Sequence, residues 1–307
     1  MFSPYPLMLL CLYRTASAFC GALDPSEEGI AIHRIFQAEE AALLRPRQTD
    51  GTQIEVYIHV IQDGQTEDRT IQRDLQQQMY VVNQVFTRTG FSFILSGVDN
   101  QVIANLDAVW YGNAADAQIK QYRIGNAQTV NLYVVPQIAY EYAGYASQID
   151  DIVMARAHIP GGSAYGTNSG KVAGHEIGHW LGLFHTFQGG CDGGDYVDDT
   201  SAEASPANEC PWVRDTCPET GSDPIHNHMD YTNDACRYQF TTGQINRMHS
   251  MWTGYRLMAL EMGREMDPIR LPCVSEAAGA IGYHVAQAPN ISSTTRALTC
   301  GVLFLNK

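Results

Sequence analysis

The chain has 307 residues, 45% of them hydrophobic and 17% charged, which is the composition of a globular protein rather than a disordered one. Its 33 acidic and 19 basic residues give a formal net charge of −14, and no basic stripe is present, so nucleic acid is excluded as a partner. An acidic balance of this kind keeps a protein soluble and can also attract calcium.

The N-terminus has the features of a secretory signal peptide. Residues 5–13 form an apolar run that is too short to span a bilayer, and Ala16 and Ala18 are small residues at the positions that precede a cut after Ala18. We therefore predict a signal peptide over residues 1–18 and a secreted, extracellular protein without a membrane span. An ordinary buried N-terminal segment is the alternative.

Residues 19–50 are interpreted as a prosegment. An acidic stretch predicts a helix over 27–44, and the linker that follows carries Arg45 and Arg47 as candidate cleavage points. The alternative is a surface helix and loop of the mature domain.

The next hundred residues alternate between strand and helix patterns. β-Branched and alternating apolar residues predict strands at 54–61, 91–98, 130–135 and 152–159. Apolar residues spaced three and four apart predict a helix over 70–88, and a shorter helix is predicted around 114–122. This order indicates an α/β (α+β) domain in which helices cover a sheet.

Residues 188–239 change character, because they are rich in Gly, Pro, Cys, Asp and Asn and show little periodicity. An irregular stretch of this length is usually functional and needs covalent support. No C-x2-C pair occurs, which argues against a zinc knuckle and favours disulfides. A helix is predicted over 241–262, so the catalytic domain spans 51–262, and the tail 263–307 has no assigned structure.

The segment from His175 to His185 has the pattern H-E-x-x-H-x-x-G-x-x-H. On a helix, His175 and His179 are one turn apart and can face the same metal ion. Glu176 lies next to that face, which suits a general base that acts on water at the metal.

His185 can reach the same ion only if the helix ends before it. A continued helix would carry His185 about 9 Å beyond His179 along the axis, at about 1.5 Å per residue. Gly182 is placed where a left-handed turn would send the chain back. Three neutral imidazoles leave the fourth position of a zinc ion open, which is the catalytic arrangement.

This segment resembles the zinc signature of the metzincins. His226–Tyr231 resembles a metzincin Met-turn. Together with the cysteine pattern, the zinc signature and this Met-turn make the chain similar to the pappalysin family. Within that family, the chain resembles most the secreted fungal extracellular metalloproteases. The resemblance implies a metzincin-like zincin catalytic domain. Such a domain has a twisted mixed sheet, an active-site helix and an irregular C-terminal subdomain stapled by disulfides.

The resemblance also implies a role for individual residues. His175, His179 and His185 would hold Zn²⁺, and Glu176 would be the catalytic base. Met229 would pack beneath the metal as the Met-turn methionine. Tyr231 would face the metal and steady the oxyanion; a buried tyrosine with a satisfied hydroxyl is the alternative.

The cysteines fit two staggered bridges under the same resemblance, Cys191–Cys217 and Cys210–Cys236, although four cysteines allow three pairings. Cys20 resembles a cysteine switch, in which a prosegment thiolate takes the open zinc position. An ordinary disulfide partner or an unpaired thiol is the alternative for Cys20.

Two further sites are suggested with weaker support. Five residues offer oxygen ligands for Ca²⁺, with an acidic solvated loop as the alternative: Asp192, Asp195, Asp198, Asp199 and Thr200. Some pappalysin relatives cut before basic residues by means of an acid in the specificity pocket, and Asp234 is the candidate for that acid. A surface aspartate is the alternative.

The sequence therefore predicts a secreted, monomeric zinc endopeptidase that acts on extracellular proteins and peptides. A strand such as 152–159 could pair with an extended substrate at the sheet edge. The alternatives are a non-enzymatic secreted binding module stabilised by calcium or zinc, and a zinc hydrolase with a non-peptide substrate. Glu176 argues against the binding module, because a structural zinc site has no use for a base.

Overall fold

The computed structural model describes residues 51–64, 70–146, 151–218 and 221–257, together with Cys20, Ile30 and Arg34. The signal peptide, most of the prosegment with its helix at 27–44, and the tail 263–307 lie outside the described residues and stay predictions. No helix in the described part of the chain is long and apolar enough to cross a membrane.

A five-stranded mixed sheet forms the centre of the domain. Its strands are β1 (Thr52–Gln62), β2 (Phe91–Val102), β3 (Val130–Val135), β4 (Gly144–Ala146) and β5 (Ile152–Ala155). They lie side by side in the order β2-β1-β3-β5-β4. All neighbouring pairs are parallel except β4 and β5, which are antiparallel. The predicted mixed α/β fold is thereby confirmed.

Helices cover both faces of the sheet. The regular helices are α1 (Ile71–Val85), α2 (Ala114–Lys120), α3 (Lys171–Trp180) and α4 (Thr242–Met251), and a π-helix spans Trp252–Leu257. Apolar residues of α1 and α3 pack with one face of β1, while Ile119 of α2 packs with Tyr133 and Tyr145 on the opposite face. Every residue of β3 is buried, as expected for a central parallel strand with both faces covered.

The expectation for a strand over 152–159 is wrong in its extent and in its place in the sheet. β5 ends at Ala155 and a 3₁₀ turn spans Arg156–His158, where the Arg156 side chain pairs with Asp74 of α1, with Nη2 2.6 Å from Oδ2. β5 also lies between β3 and β4, so its backbone is already paired on both sides. The sheet edge next to α3 is β4, a three-residue strand that the sequence did not predict.

Residues 181–241, the loop region, contain a 3₁₀ turn (Gly190–Asp192) but neither a strand nor an α-helix among those described. Two disulfide bonds cross this region, Cys191–Cys217 and Cys210–Cys236, in the pairing that the resemblance implies. Arg214 Nη1 also lies 2.8 Å from Glu203 Oε2 and 2.7 Å from Asp223 Oδ2. In the loop region, disulfide bonds and ion pairs thus provide the stabilisation that backbone hydrogen bonds between strands provide in the sheet.

Candidate metal centre

The helix α3 supplies the first two histidines and then stops. Gly182 has a φ of +89°. Its amide donates to the His179 carbonyl at 2.8 Å, and the amide of Leu183 donates to Gly178 at 2.9 Å. These bonds close the helix in a left-handed C-terminal turn, so the predicted role of Gly182 is confirmed. The chain then doubles back and returns His185 to the side of His179.

The three imidazoles converge on one point. His179 Nε2 lies 3.1 Å from His175 Nε2 and 3.0 Å from His185 Nε2. Tetrahedral zinc with Zn–N bonds of about 2.0–2.1 Å separates its nitrogen ligands by about 3.3 Å. The spacing of the three nitrogens therefore fits a single zinc ion.

Each imidazole is oriented by an oxygen on its far side. His175 Nδ1 donates to the carbonyl of His228 at 2.7 Å, and His179 Nδ1 donates to the carbonyl of Leu183 at 2.8 Å. His185 Nδ1 faces Gln188 Oε1 at 3.3 Å. A proton on each Nδ1 leaves the Nε2 lone pair for a metal, which is how metal-binding histidines are usually held.

Burial keeps these imidazoles neutral. Loss of hydration lowers the pKa of His179 to about 4, despite its hydrogen bond to Leu183. It also lowers the pKa of His175 and His185 well below the usual value, and the neighbouring histidines lower both further. Neutral imidazole is the form that binds a metal. The three histidines therefore fit a zinc ion in their protonation state as well as in the spacing of their nitrogens.

Glu176 is fully buried beside the histidines. Burial raises the pKa of its carboxyl to about 8, and the hydrogen bond from the Cys20 thiol opposes that rise. Its Oε2 accepts from Cys20 Sγ at 3.4 Å, while its Oε1 has no hydrogen-bond partner among the described residues. A buried carboxyl with a raised pKa and an open oxygen is suited to exchange a proton with a bound reactant.

Cys20 lies against the three histidines. One ligand atom from each of these four residues falls within 4.8 Å of the others. The backbone of Cys20 also forms a parallel bridge with Gly144 of β4, and its carbonyl accepts from Tyr231 Oη at 3.0 Å. Cys20 therefore lies beside both β4 and the histidine cluster.

Met229 and Tyr231 both pack next to the active-site elements. The fully buried Met229 packs under α3 so closely that a Cβ at Gly178 would fall 2.5 Å from its Sδ. Tyr231 Oη is 3.2 Å from His185 Nε2, and burial raises the pKa of this phenol, so the hydroxyl remains a hydrogen-bond donor.

The calcium expectation is not supported. In the part of the chain that the structure describes, the group of three or more metal-binding side chains is the cluster of Cys20 and the histidines. The acidic side chains of the loop region have other partners. Asp195 Oδ1 accepts from the Val197 amide at 3.1 Å, and Asp199 Oδ2 accepts from the Gly243 amide at the start of α4 at 2.8 Å. Among the described residues, Asp192, Asp195, Asp198 and Asp199 do not form a group whose ligand atoms converge on one point.

Asp234 lies near the metal centre, but both oxygens of its carboxylate already accept hydrogen bonds from other groups. Oδ2 accepts from Ser169 N at 2.9 Å and from Ser169 Oγ at 2.7 Å, while Oδ1 accepts from Arg237 Nη2 at 2.5 Å. Arg237, rather than Asp234, lines the cleft beside Glu176.

Sequence reasoning missed Arg237 and Gln188 as components of the site. Arg237 directly follows the disulfide-bonded Cys236 in a stretch without periodicity, so no sequence signal separates it from a surface arginine. Gln188 lies three residues after His185, and that spacing alone could have suggested an orienting partner.

Comparison with known proteins agrees with this geometry. Residues 113–253 match the Peptidase_M43 family model, described as pregnancy-associated plasma protein-A. The chain is 42% identical over 261 residues to an extracellular metalloprotease of Pyricularia oryzae, an alignment that covers 77% of this chain and 89% of the relative. It is 38% identical over 258 residues to an extracellular metalloprotease of Verticillium alfalfae, with the same coverage.

Solved structures are similar at the level of the fold. A promirolysin mutant from Tannerella forsythia has a TM-score of 0.61 and 24% identity, over 77% of this chain and 92% of that one. Mirolysin in complex with compound 9 has a TM-score of 0.58 at 24% identity, over 67% and 94% of the two chains.

A mixed sheet with a buried helix that presents three converging histidines defines a metalloprotease with a metzincin-like fold. The chain belongs to the Peptidase_M43, or pappalysin-like, family, to which its extracellular metalloprotease relatives also belong.

Proposed function

We propose that the protein is a secreted zinc endopeptidase and that Glu176 is its general base. The observation that carries the proposal is the convergence of three neutral imidazoles next to a buried carboxyl. His175, His179 and His185 would hold the zinc ion. When bound, zinc would supply Lewis acidity to water and to the peptide carbonyl.

Glu176 accepts the proton of the attacking water and later delivers it to the leaving amine. Its Oε1 is the oxygen available for this transfer, since Oε2 faces Cys20. The raised pKa of Glu176 brings its proton affinity closer to that of the groups with which it exchanges the proton. Tyr231 donates its hydroxyl hydrogen to the developing oxyanion, because its Oη lies next to the zinc-binding nitrogen of His185.

The substrate binds as an added strand on β4. The isolated parallel bridge between Cys20 and Gly144 supports this, because at that point β4 already pairs with a backbone other than β5. Extracellular proteins and peptides are the expected substrates, given the names of the relatives. A signal peptide over 1–18 and a prosegment over 19–50 are part of the same proposal.

The test is a digest of a mixed peptide library by the purified secreted protein. New termini are sequenced with and without a zinc chelator, and again after zinc is restored. We expect cleavage that the chelator abolishes and zinc restores. Protein that carries zinc and has lost residues 19–50, yet cleaves nothing, would contradict the proposal and favour the binding-module alternative.

Cys20 acts as the switch that keeps the uncut chain inactive. Its thiol lies among the zinc-binding nitrogens, and thiolate is a good zinc ligand. We expect a Cys20→Ala full-length chain to cleave peptides at once, while the native full-length chain needs proteolytic activation. Ser26→Ala, a change in the same prosegment, is the control and should stay latent. Equal latency of the native chain and Cys20→Ala would contradict the switch.

A further inference from the structure

The cleft beside Glu176 contains a buried cation that the proposed chemistry does not use. Apart from the groups that act on the peptide bond, its walls are formed by Ala143, Thr167, Val172, Thr232 and Arg237, and by Cys20 of the prosegment. Arg237 is only 4% exposed. A cleft that adjoins the catalytic carboxyl is placed to receive a side chain next to the scissile bond.

Arg237 has hydrogen-bonding capacity left over. Its Nη2 donates to Asp234, but its Nε has no partner among the described residues although it is buried. Guanidinium offers five N–H donors in a planar fork that matches a carboxylate with two parallel bonds. A buried donor without a partner is costly, so an arriving acceptor would be favoured at this position.

Asp234 cannot select a basic side chain of the substrate while Arg237 is present. Its Oδ1 accepts from Arg237, and its Oδ2 accepts from both Ser169 donors. Both oxygens are engaged, and the side chain does not line the cleft. A lysine or arginine of a substrate would meet the guanidinium first and be repelled by it.

Two cationic side chains lie beside Asp234. Lys171 Nζ donates to the backbone carbonyls of Asp234 and Arg237, at 2.6 Å in each case, and Arg237 pairs with the Asp234 carboxylate. The carboxyl group that lines the cleft is that of the catalytic Glu176. Burial lowers the pKa of the adjacent His158, so this imidazole is neutral and adds no charge.

We propose that Arg237 makes this cleft a pocket for an acidic side chain, glutamate or aspartate, next to the scissile bond. The proposal rests on the peptidase function above and names a substrate class for it. Arg237 acts here as a specificity residue that touches the substrate side chain and takes no part in bond cleavage.

The test uses the zinc-loaded, proteolytically matured protein and a set of quenched peptides. The peptides are identical except for Glu, Gln, Lys or Leu at each of the two positions that flank the cleaved bond. We expect the Glu peptide to have a kcat/KM about 10-fold or more above the Gln and Lys peptides at one of these positions, as expected for a bidentate charged contact.

Two variants separate specificity from stability. Arg237→Met uncovers Asp234, so we expect the preference to move from Glu to Lys, whereas a purely structural defect would lower kcat/KM for all peptides alike. Arg156→Met is the matched control, because it removes another arginine–aspartate pair, in which a partly buried Arg156 meets the buried Asp74, and neither residue lines the cleft. It should leave the ratios between peptides unchanged.

The rates at which the wild-type protein cleaves the set of peptides test the role of Arg237 even if Arg237→Met does not fold. A preference for Lys, or equal rates for Glu, Gln and Lys, overturns the assignment of Arg237 and leaves the peptidase function intact. No cleavage of any peptide by zinc-loaded protein overturns the peptidase function, and this proposal with it.

Discussion

Two regions of the molecule are stabilised in different ways. Residues 52–155, the sheet region, are held by backbone ladders and by apolar side chains packed on both faces of the sheet. The loop region is held by disulfides, by an arginine that pairs with two buried carboxylates, and by side chains bonded to backbone. Backbone ladders tolerate many sequences, whereas the loop region depends on particular side chains.

The metal centre lies where these two regions meet. The helix α3, packed on the sheet, supplies His175 and His179, while the loop region supplies His185 and the carbonyl that orients His175. We therefore expect changes in the sheet region to affect stability alone. Changes in the loop region should affect stability and zinc affinity together.

The largest effect is expected for Arg214→Met. This change leaves Glu203 and Asp223 buried without their cation, so the free energy of unfolding should fall by about 3–5 kcal/mol. Glu203 also accepts from Thr186, the neighbour of His185, so zinc affinity should fall about 10-fold or more. Denaturant unfolding of the zinc-free protein and a competitive zinc titration measure the two effects.

Ile58→Ala is the matched control in the sheet region. Ile58 is fully buried, so its truncation should cost about 2–5 kcal/mol of unfolding free energy. Its zinc affinity should equal that of the wild type. An equal loss of zinc affinity in Ile58→Ala and Arg214→Met would contradict the division into two regions.

An intermediate effect is expected for Gly182→Ala. The residue has a positive φ, and a Cβ there would fall 2.4 Å from Met251 Cγ. Backbone strain and overpacking together should lower the free energy of unfolding by about 2–4 kcal/mol. Zinc affinity should also fall, because His185 follows this turn. Thermal unfolding and zinc titration give the two values.

Gly112→Ala separates the effect of backbone strain on the free energy of unfolding from the effect of side-chain overpacking. Gly112 also has a positive φ, +76°, but nothing lies within 4 Å of a Cβ placed there. We expect a loss of about 1–2 kcal/mol from strain alone and no change in zinc binding. A loss as large as that of Gly182→Ala would show that the Met251 contact is unimportant.

The effect of pH is the smallest near neutral pH and grows as the pH falls. Burial lowers the pKa of His228 to about 3, and its Nδ1 has no partner in the described part of the chain. Below about pH 6.5 the unfolded chain binds a proton that the folded protein does not, so stability falls as the pH falls from 6.5 toward 3. The slope from this group is at most about 1.4 kcal/mol per pH unit.

His228→Phe should remove that contribution while it keeps a ring next to Phe240. Unfolding free energies of the zinc-free proteins, measured from pH 8 to pH 4, should run parallel above pH 7 and diverge below pH 6.5. Curves that stay parallel throughout would contradict the assignment to His228.

Much of the fold could be predicted because its patterns are local. The strand patterns of β1 and β3, the apolar stripe of α1 and the end of α3 at Gly182 depend on neighbours in sequence. β4 could not be predicted, because a three-residue strand has no periodicity and exists only through its pairing with β5. For the same reason the edge of the sheet was assigned to the wrong strand.

The metal-binding motif could be found because its residues lie close together in sequence. The environment of Asp234 could not, since its carboxylate is engaged by Ser169, which is 65 residues away, and by Arg237. The calcium expectation is not supported for a similar reason. Sequence alone does not show that Asp195 is buried or that Asp199 accepts from an amide at the start of α4.

The most direct test of the central proposal is the zinc content and peptidase activity of Glu176→Gln. The side chain keeps its shape but can no longer accept the proton, so zinc should remain bound at the wild-type ratio. The value of kcat/KM for a cleaved peptide should fall by about 10²–10⁴-fold. Activity within a few-fold of wild type, with zinc retained, would contradict the role of Glu176 as the base.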